Sequence, residues 1–368
     1  MIPIYVPEII ESDADYVRRS VASGWVSSLG DYINQFEQEF ATYCGTSHAL
    51  TTANGTVALH LALASYGIGL GDEVIVPDIT FVATANAVKY TGATVVTVDI
   101  DRFSLCIEPA SIEKSITSKT KAIIAVHLYG HPADMRAINS IAKKHNMIVI
   151  EDAAEAHGAE IEGKKVGSFG DAAIFSFYGN KILTTGEGGM ITTNNKDFYE
   201  KARFLRDHAM SNDKRYWHSE IGFNYRLTNM QAALGVSQLS RINEILRKKR
   251  NIYKYYMREL KDYKQIILNR EKSGYKSVFW MICLENPKWD INSRDVFMKK
   301  LYSRGVDSRP YFYPISLLPP YVGIDSVAPN ARAIYSTGIN LPSSPNLSEA
   351  QIVYICDQIK ALIDENRD

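Results

Sequence analysis

The chain has 368 residues, of which 46% are hydrophobic and 22% charged, enough for one large domain and a smaller one. Lysine plus arginine and aspartate plus glutamate number 41 each, so the net charge is zero and no overall field favours nucleic acid or a membrane surface. The four cysteines form no CxxC pair, and no apolar run approaches the roughly 20 residues of a membrane span. The sequence therefore predicts a reduced, cytoplasmic protein without a metal site.

Strand and helix patterns alternate through the first part of the chain. Near-continuous apolar runs predict strands at residues 49–51, 73–76, 93–98, 121–126, 147–150, 172–175 and 190–193. Helical periodicity lies among them, at residues 12–22, 33–42, 55–66, 80–90, 134–145 and 197–205. Apolar strands that alternate with helices are typical of an α/β fold with a mostly parallel central sheet covered by helices.

The last third of the chain changes in character. Its patterns are one long helix, a strand and two shorter helices, at residues 228–260, 277–284, 293–303 and 351–363. We therefore predict a large domain over residues 1–245 and a smaller C-terminal α/β domain over residues 246–368. Residues 1–25 could instead pack outside the large domain.

One lysine stands between apolar strand patterns and glycines. The sequence FSFYGNK at residues 175–181 leads from a buried strand into a loop, and GEGG follows at residues 186–189. A buried amine loses its proton easily, and a neutral amine can form a Schiff base with an aldehyde cofactor or a carbonyl substrate. The alternative for Lys181 is an exposed loop lysine, which is the commoner environment of this residue type.

Two further patterns lie where strands give way to helices. The sequence NGT at residues 54–56 precedes a helix, whose N-terminus can bind phosphate. Asn54 or Thr56 could equally serve only as the helix cap. Phe81 begins the next helical pattern, where its ring could stack on a flat cofactor or pack in the core.

A carboxylate stands where the fifth strand pattern ends. The sequence IVIEDAAEAHG at residues 148–158 places Asp152 at the carboxyl end of a parallel strand, the region where ligands bind in such sheets. Asp152 can hold the protonated ring nitrogen of a cofactor, or it can cap a helix. His157 could contact the cofactor or form hydrogen bonds in the core, and we favour the core hydrogen bonds. His127 and His131 flank a Tyr-Gly pair but lack a third metal ligand.

Polar and aromatic segments lie outside the strand patterns. Asn224 and Arg226 precede the long helical pattern, where they could contact a phosphate or another subunit, or simply mark the helix entry. The loops RYWH at residues 215–218 and SRPYFYP at residues 308–314 suit stacking on a sugar or base and equally suit a subunit interface.

Together these segments resemble the DegT/DnrJ/EryC1/StrS family of pyridoxal-phosphate (PLP) sugar aminotransferases, which have the aspartate-aminotransferase fold, called fold type I. The resemblance runs almost end to end. Its segments are WVSS at 25–28, NGTVALH at 54–60, EDAAE at 151–155, FSFYGNK at 175–181, GEGG at 186–189 and GFNYRLT at 222–228. Within the family, AVHLYGHP at 125–132 and the two aromatic loops resemble a subgroup that aminates a GDP-linked sugar.

The resemblance implies roles for individual residues. Lys181 would be the Schiff-base lysine, and Asp152 the partner of the pyridine nitrogen. Further implied cofactor contacts are Gly55, Thr56 and Ser176 to the phosphate, Phe81 to the ring face, and Glu155, where many relatives have Gln, near the ring oxygen. A homodimer with shared sites is also implied, in which Asn224 of one subunit reaches the phosphate held by the other. Expected substrate contacts come from the aromatic loops: Trp217, His218, Arg309, Tyr311 and Tyr313.

The reaction implied by the resemblance is amino transfer from L-glutamate to the C4 keto group of a nucleotide-linked 4-keto-6-deoxy sugar. GDP-4-keto-6-deoxy-D-mannose is the expected acceptor, and bacterial O-antigen (lipopolysaccharide) biosynthesis the expected context. Open alternatives are a UDP- or dTDP-linked 4-keto sugar, a 3-keto sugar, a noncatalytic PLP-binding regulator and a nicotinamide-dependent dehydrogenase. The Lys181 and Asp152 pair disfavours the regulator, and the missing GxGxxG after the first strand disfavours the dehydrogenase.

Overall fold

The computed structural model of the chain describes residues 1–324 and 326–365. Within these residues the α-helices are α1 Glu11–Ala22, α2 Asp31–Cys44, α3 Gly55–Ser65, α4 Ala83–Tyr90, α5 Pro109–Ser115, α6 Met135–His145, α7 Lys196–Arg206, α8 Asn229–Ser240, α9 Ile242–Leu260, α10 Ile291–Ser303, α11 Pro329–Thr337 and α12 Glu349–Asp364. The strands are β1 His48–Thr52, β2 Glu73–Pro77, β3 Thr94–Val98, β4 Thr120–Val126, β5 Ile148–Asp152, β6 Glu160–Ile161, β7 Lys164–Lys165, β8 Ala172–Ser176, β9 Gly189–Thr193, β10 Ile267–Leu268, β11 Tyr275–Lys276, β12 Ile282–Glu285, β13 Arg309–Pro310 and β14 Gly338–Leu341.

A seven-stranded sheet forms the centre of the molecule, in the order β1-β9-β8-β5-β4-β2-β3. Within this sheet the neighbouring strands β3, β2, β4, β5 and β8 pair in parallel. Strand β9 runs antiparallel to both β8 and β1. Alternate residues of a strand point to opposite faces. In β4, Ile123 packs into one large hydrophobic cluster and Ile124 into another, which explains why these strands are apolar throughout. The predicted α/β fold with a mostly parallel sheet is confirmed.

A second, antiparallel sheet lies in the last part of the chain, in the order β10-β12-β14-β13. Its strands and the helices α10 and α12 share a third hydrophobic cluster, which includes Leu284, Phe297, Ile339 and Ile355. Helix α9 runs through residue 245 without interruption. The division of the chain into domains at that residue stays a prediction.

The helical pattern at residues 228–260 forms two helices instead of one. Arg241 separates α8 from α9, with backbone angles of φ −115° and ψ 16°. Its guanidinium donates to the carboxylates of Glu8 and Asp13 at 2.7 and 2.9 Å. These partners lie more than 200 residues away, so the local pattern cannot reveal the break.

The strand pattern at residues 277–284 is also only partly realised, because β12 begins at Ile282. Before it, the backbone N–H groups of Val278 and Trp280 donate to the carbonyl oxygens of Gly130 and Tyr129, at 3.0 and 3.2 Å. This segment is therefore bound to a distant turn, and it brings the indole of Trp280 to the end of the central sheet.

The structure also bears on membrane-spanning helices and on the cysteines. Within residues 1–324 and 326–365, no helix has both the length and the apolar character needed to cross a membrane. All four cysteines, Cys44, Cys106, Cys283 and Cys356, are buried free thiols.

Candidate active site

A cavity of about 660 Å³ opens at the carboxyl ends of the parallel strands. The last residues of three neighbouring strands line it, Val126 of β4, Asp152 of β5 and Ser176 of β8. Ligands bind at this edge in open α/β sheets because the loops that follow the strands converge there. Other lining residues are Asn54, Gly55, Thr56, Thr80, Phe81, Thr84, Tyr90, Glu155, Tyr178, Asn180, Lys181, Glu187, Trp280 and Phe312.

One end of the cavity is the N-terminus of α3. Asn54 caps this helix, since its side chain accepts a hydrogen bond from the N–H of Val57 at 3.0 Å. Gly55 packs so closely against β8 that an added Cβ would lie 2.9 Å from Cβ of Ser176. Gly55, Thr56 and Ser176 thus surround a helix N-terminus, a place suited to a phosphate group. The two interpretations of the NGT sequence are compatible, because Asn54 caps the helix beside this place.

Asp152 is almost fully buried at the end of β5. The hydroxyl of Thr84 donates to its Oδ2 at 2.8 Å, and the N–H of Ala154 donates to its Oδ1 at 3.2 Å. Burial raises the pKa of Asp152, and these hydrogen bonds oppose that rise. The next element after Asp152 is strand β6, so this aspartate does not serve as a helix cap.

Lys181 projects a buried amine into the same cavity. Its Nζ lies 3.5 Å from Oε1 of Glu155 and 4.0 Å from the centroid of the Trp280 ring. Burial lowers the pKa of Lys181, and the carboxylates of Glu155 and Asp152 oppose that change. Burial also raises the pKa of Glu155 to about 7. The exposed-loop interpretation of Lys181 is therefore wrong in this structure.

Glu155 has a second partner that determines its orientation. Its Oε2 accepts a hydrogen bond from the backbone N–H of Tyr129 at 2.8 Å. Tyr129 belongs to a 3-10 turn, Leu128–Gly130, and has a positive φ of 52°, a conformation rare for a residue with a side chain. The HLYGHP segment thus holds the acid that faces Lys181.

Phe81 also lines the cavity, although the helical pattern placed it differently. Helix α4 begins at Ala83, so Phe81 precedes the helix and half of its side chain is exposed. Its ring centroid lies 5.8 Å from that of Phe312. An exposed ring at the mouth of a cavity can stack on a flat ligand.

The remaining predicted contact residues do not line this cavity within one chain. Asn224 is exposed, and its side-chain oxygen accepts hydrogen bonds from Arg226 at 2.9 and 3.1 Å. Four of the five expected substrate contacts are also exposed outside the cavity: Trp217, His218, Arg309 and Tyr313. Tyr311 is buried, with its ring centroid 5.2 Å from that of Tyr129, so the structure places it in the core.

The histidines considered as metal ligands have other partners. His127 donates through Nε2 to Glu151 at 3.0 Å and accepts at Nδ1 from the N–H of Ala133 at 2.9 Å. The Nδ1 of His131 lies 2.8 Å from the carbonyl oxygen of Pro132. No group of three or more potential metal ligands occurs in the part of the chain that the structure describes.

Several cavity residues were not singled out from the sequence, among them Thr84, Phe312 and Trp280. Phe312 lies in the loop at residues 308–314, from which we expected Arg309, Tyr311 and Tyr313 to contact the substrate. Trp280 was part of a strand pattern, and Thr84 part of a helical pattern, so neither carried a local signal of a site.

The chain matches the model of the DegT/DnrJ/EryC1/StrS aminotransferase family over residues 7–360. It belongs to that family. This aminotransferase is 43% identical to the GDP-perosamine synthase of Escherichia coli O157:H7 over 97% of both chains. It is 45% identical to the GDP-perosamine synthase of Caulobacter vibrioides over 99% of its own length and 98% of the relative's. A Streptococcus pneumoniae protein solved in its PLP form superposes with a TM-score of 0.94 at 26% identity, over 99% of each chain.

The aminotransferase is therefore a PLP-dependent enzyme, as the resemblance implied. Its own residues fit the cofactor. A helix N-terminus with room left by Gly55, a buried carboxylate at Asp152 and a buried amine at Lys181 all face one cavity. These are a place for a phosphate, a partner for a ring nitrogen and an amine that can bond an aldehyde.

Proposed function

We propose that this aminotransferase moves the amino group of L-glutamate to C4 of GDP-4-keto-6-deoxy-D-mannose and so forms GDP-perosamine. The observation that carries the proposal is the identity of 43–45% to two GDP-perosamine synthases over nearly the whole of each chain. The UDP- and dTDP-linked sugars, the 3-keto sugar, the dehydrogenase and the regulatory protein are not favoured by these comparisons.

For the cofactor we propose four kinds of contact. Gly55, Thr56 and Ser176 hold the phosphate, where the N–H groups of α3 are free to donate. Phe81 stacks on one face of the ring. Asp152 keeps the ring nitrogen protonated, and Glu155 lies near the ring oxygen.

When bound, PLP supplies the aldehyde that carries the amino group and a ring that withdraws electrons from the reacting carbon. Lys181 moves the proton between the substrate carbon and the cofactor's C4′ atom, first as base and then as acid. An amine with a lowered pKa suits both directions, because it can be neutral before the transfer and charged after it. Asp152 stabilises the negative charge that develops during the transfer.

The enzyme is proposed to be a homodimer in which Asn224 of one subunit reaches the phosphate held by the other. Asn224 is exposed and lies outside the cavity of its own chain, which is compatible with this role. The aromatic loops of residues 215–218 and 308–314 are proposed to contact the sugar nucleotide through Trp217, His218, Arg309 and Tyr313. Because Tyr311 is buried, we do not include it among these proposed contacts.

The cofactor and the lysine are tested by near-visible absorption of the purified protein, before and after addition of L-glutamate. The wild type should show a band of the lysine-bound cofactor that disappears with glutamate, and Lys181→Ala should lose both the band and turnover. Lys181→Arg serves as a control that keeps the positive charge. Turnover by Lys181→Ala would overturn the role of this residue.

The acceptor is tested by incubating the glutamate-treated enzyme with keto sugars linked to GDP, UDP or dTDP. The GDP-linked 4-keto sugar should restore the band and give a 4-amino product. Restoration only by a UDP- or dTDP-linked sugar would replace the proposed acceptor.

The proposed setting is cytoplasmic synthesis of a precursor for O-antigen, and deletion of the gene should remove perosamine from the hydrolysed polysaccharide.

A further inference from the structure

The amine of Lys181 lies between an acid and an aromatic ring. Glu155 lies on one side at 3.5 Å, and the centroid of the Trp280 ring lies 4.0 Å away. We propose that Trp280 is a positioning residue for Lys181. The ring of Trp280 stabilises the ammonium form of the lysine amine, and the indole N–H of Trp280 fixes the backbone that carries the lysine side chain. This inference rests on the proposed function, in which the amine gains and loses a proton.

The backbone of Lys181 is held by two aromatic residues from distant parts of the chain. Nε1 of Trp280 donates to the carbonyl oxygen of Asn180 at 2.7 Å. The hydroxyl of Tyr5 donates to the carbonyl oxygen of Lys181 itself at 3.0 Å. Two consecutive carbonyl groups are thus anchored, which restricts the position of the Lys181 Cα atom, from which the side chain extends.

Trp280 is itself held by the turn that orients Glu155. Tyr129 donates its N–H to Oε2 of Glu155 and accepts the N–H of Trp280 at its carbonyl, at 2.8 and 3.2 Å. Gly130, with φ of 93°, leaves no room for a side chain, since an added Cβ would lie 2.9 Å from the N atom of Trp280. One strained turn therefore sets the positions of both neighbours of the Lys181 amine.

A buried lysine gives Trp280 a further anchor. Nζ of Lys249, on α9, donates to the carbonyl oxygen of Trp280 at 2.8 Å. Lys249 is fully buried, and burial lowers its pKa. These bonds hold the backbone of Trp280, and the bond from its indole N–H to Asn180 holds the ring against Lys181.

The ring contributes to the protonation of Lys181 in a way that a carboxylate does not. The charged or titratable groups that act on the amine are Glu155, Asp152 and His157. Burial lowers the pKa of His157 to about 3, so His157 is neutral near pH 7. The face of an indole attracts a cation through its quadrupole and carries no charge of its own. Trp280 therefore favours the ammonium form without adding a further buried anion.

The test measures the pKa of Lys181 directly in the cofactor-free, full-length protein. Brief acetylation with acetic anhydride at a series of pH values, followed by mass spectrometry of the peptide with Lys181, gives the pH at which half of the amine is reactive. The variants are Trp280→Phe, which keeps an aromatic face, and Trp280→Leu, which removes it. Lys254, an exposed lysine on α9, is the internal reference. Trp289→Leu is the matched control at a tryptophan outside the cavity.

We expect the pKa of Lys181 to fall by roughly one unit in Trp280→Leu and by less in Trp280→Phe, with no change in Trp289→Leu. A role in packing alone gives the opposite sign, because a smaller side chain admits water and raises the pKa of a buried amine. An unchanged or raised value in the folded Trp280→Leu variant overturns the proposal, and a raised value in Trp280→Phe overturns it even if Trp280→Leu does not fold. Borohydride reduction of the wild type should link PLP to Lys181, and failure there would count against the proposed function instead.

Discussion

Oε1 of Glu155 lies 3.5 Å from Nζ of Lys181, and both side chains are withdrawn from solvent. Burial favours the uncharged form of each group, whereas the charge of each favours the charged form of the other. The result is a carboxyl group whose pKa is about 7 beside an amine whose pKa is lowered. A relative with Gln at this position would lack that titrating partner.

The first prediction concerns stability and pH in Glu155→Gln. Folding raises the pKa of Glu155 from 4.5 to about 7, so between these values the folded protein binds more protons than the unfolded chain at this site. This contribution to the free energy of unfolding is present below pH 4.5 and is lost as the pH rises to about 7. Relative to wild type, the variant should therefore gain at most about 1.4 kcal/mol per pH unit across this window.

Urea unfolding of the cofactor-free proteins at several pH values measures this difference. Glu200→Gln, at an exposed position on α7, is the control and should follow the wild type at every pH. A stability difference between Glu155→Gln and wild type that does not vary with pH would contradict the prediction.

The second prediction separates the charge of Asp152 from its hydrogen bonds. Asp152→Asn keeps an oxygen that can accept from Thr84 or Ala154 but removes the negative charge. We expect the rate of the glutamate half-reaction to fall by about 10²–10³-fold, the typical loss of a preorganised electrostatic contact, with little change in Tm. Thr84→Val keeps the charge and should reduce the rate by about tenfold or less. Stopped-flow absorbance gives the rates, and equal losses in the two variants would argue against a role for the charge.

The third prediction tests the space beside Gly55. In Gly55→Ala the new Cβ would meet Cβ of Ser176 at 2.9 Å, so β8 and the start of α3 must separate at the proposed phosphate position. The Kd of PLP should rise by about tenfold or more, since every phosphate contact shifts with the helix N-terminus. Gly69→Ala is the control, because its nearest atom would be 3.7 Å away. Fluorescence titration measures both, and wild-type affinity in Gly55→Ala would place the phosphate elsewhere.

The fourth prediction tests whether the sites are shared between subunits. Lys181→Ala and Asn224→Ala should each be inactive as pure proteins. Unfolded and refolded together in equal amounts, they should recover about a quarter of wild-type activity, because half of the dimers are mixed and each mixed dimer has one intact site. Separately refolded proteins, mixed just before the assay, are the control. An active Asn224→Ala protein would remove this residue from the site.

The sequence by itself determined the class of fold and the main chemical groups of the site. Apolar strands that alternate with helices form a parallel sheet, whose strand ends meet at one edge. Asp152 and Ser176 end such strands, and Gly55 begins a helix there, so their convergence follows from local pattern and topology. The resemblance added Lys181, whose position in a loop had left its environment open.

Only the tertiary structure decided what surrounds these groups. Trp280 reaches Lys181 because its segment bonds to the turn at residues 128–130 instead of extending β12. Tyr311 enters the core although Pro310 and Phe312 beside it are only partly buried and Tyr313 is exposed. Local pattern reports which residues are apolar and how they repeat along the chain. Burial, orientation and pKa depend on contacts between segments that are distant along the chain, such as Trp280 and Asn180, and these exist only once the chain has folded.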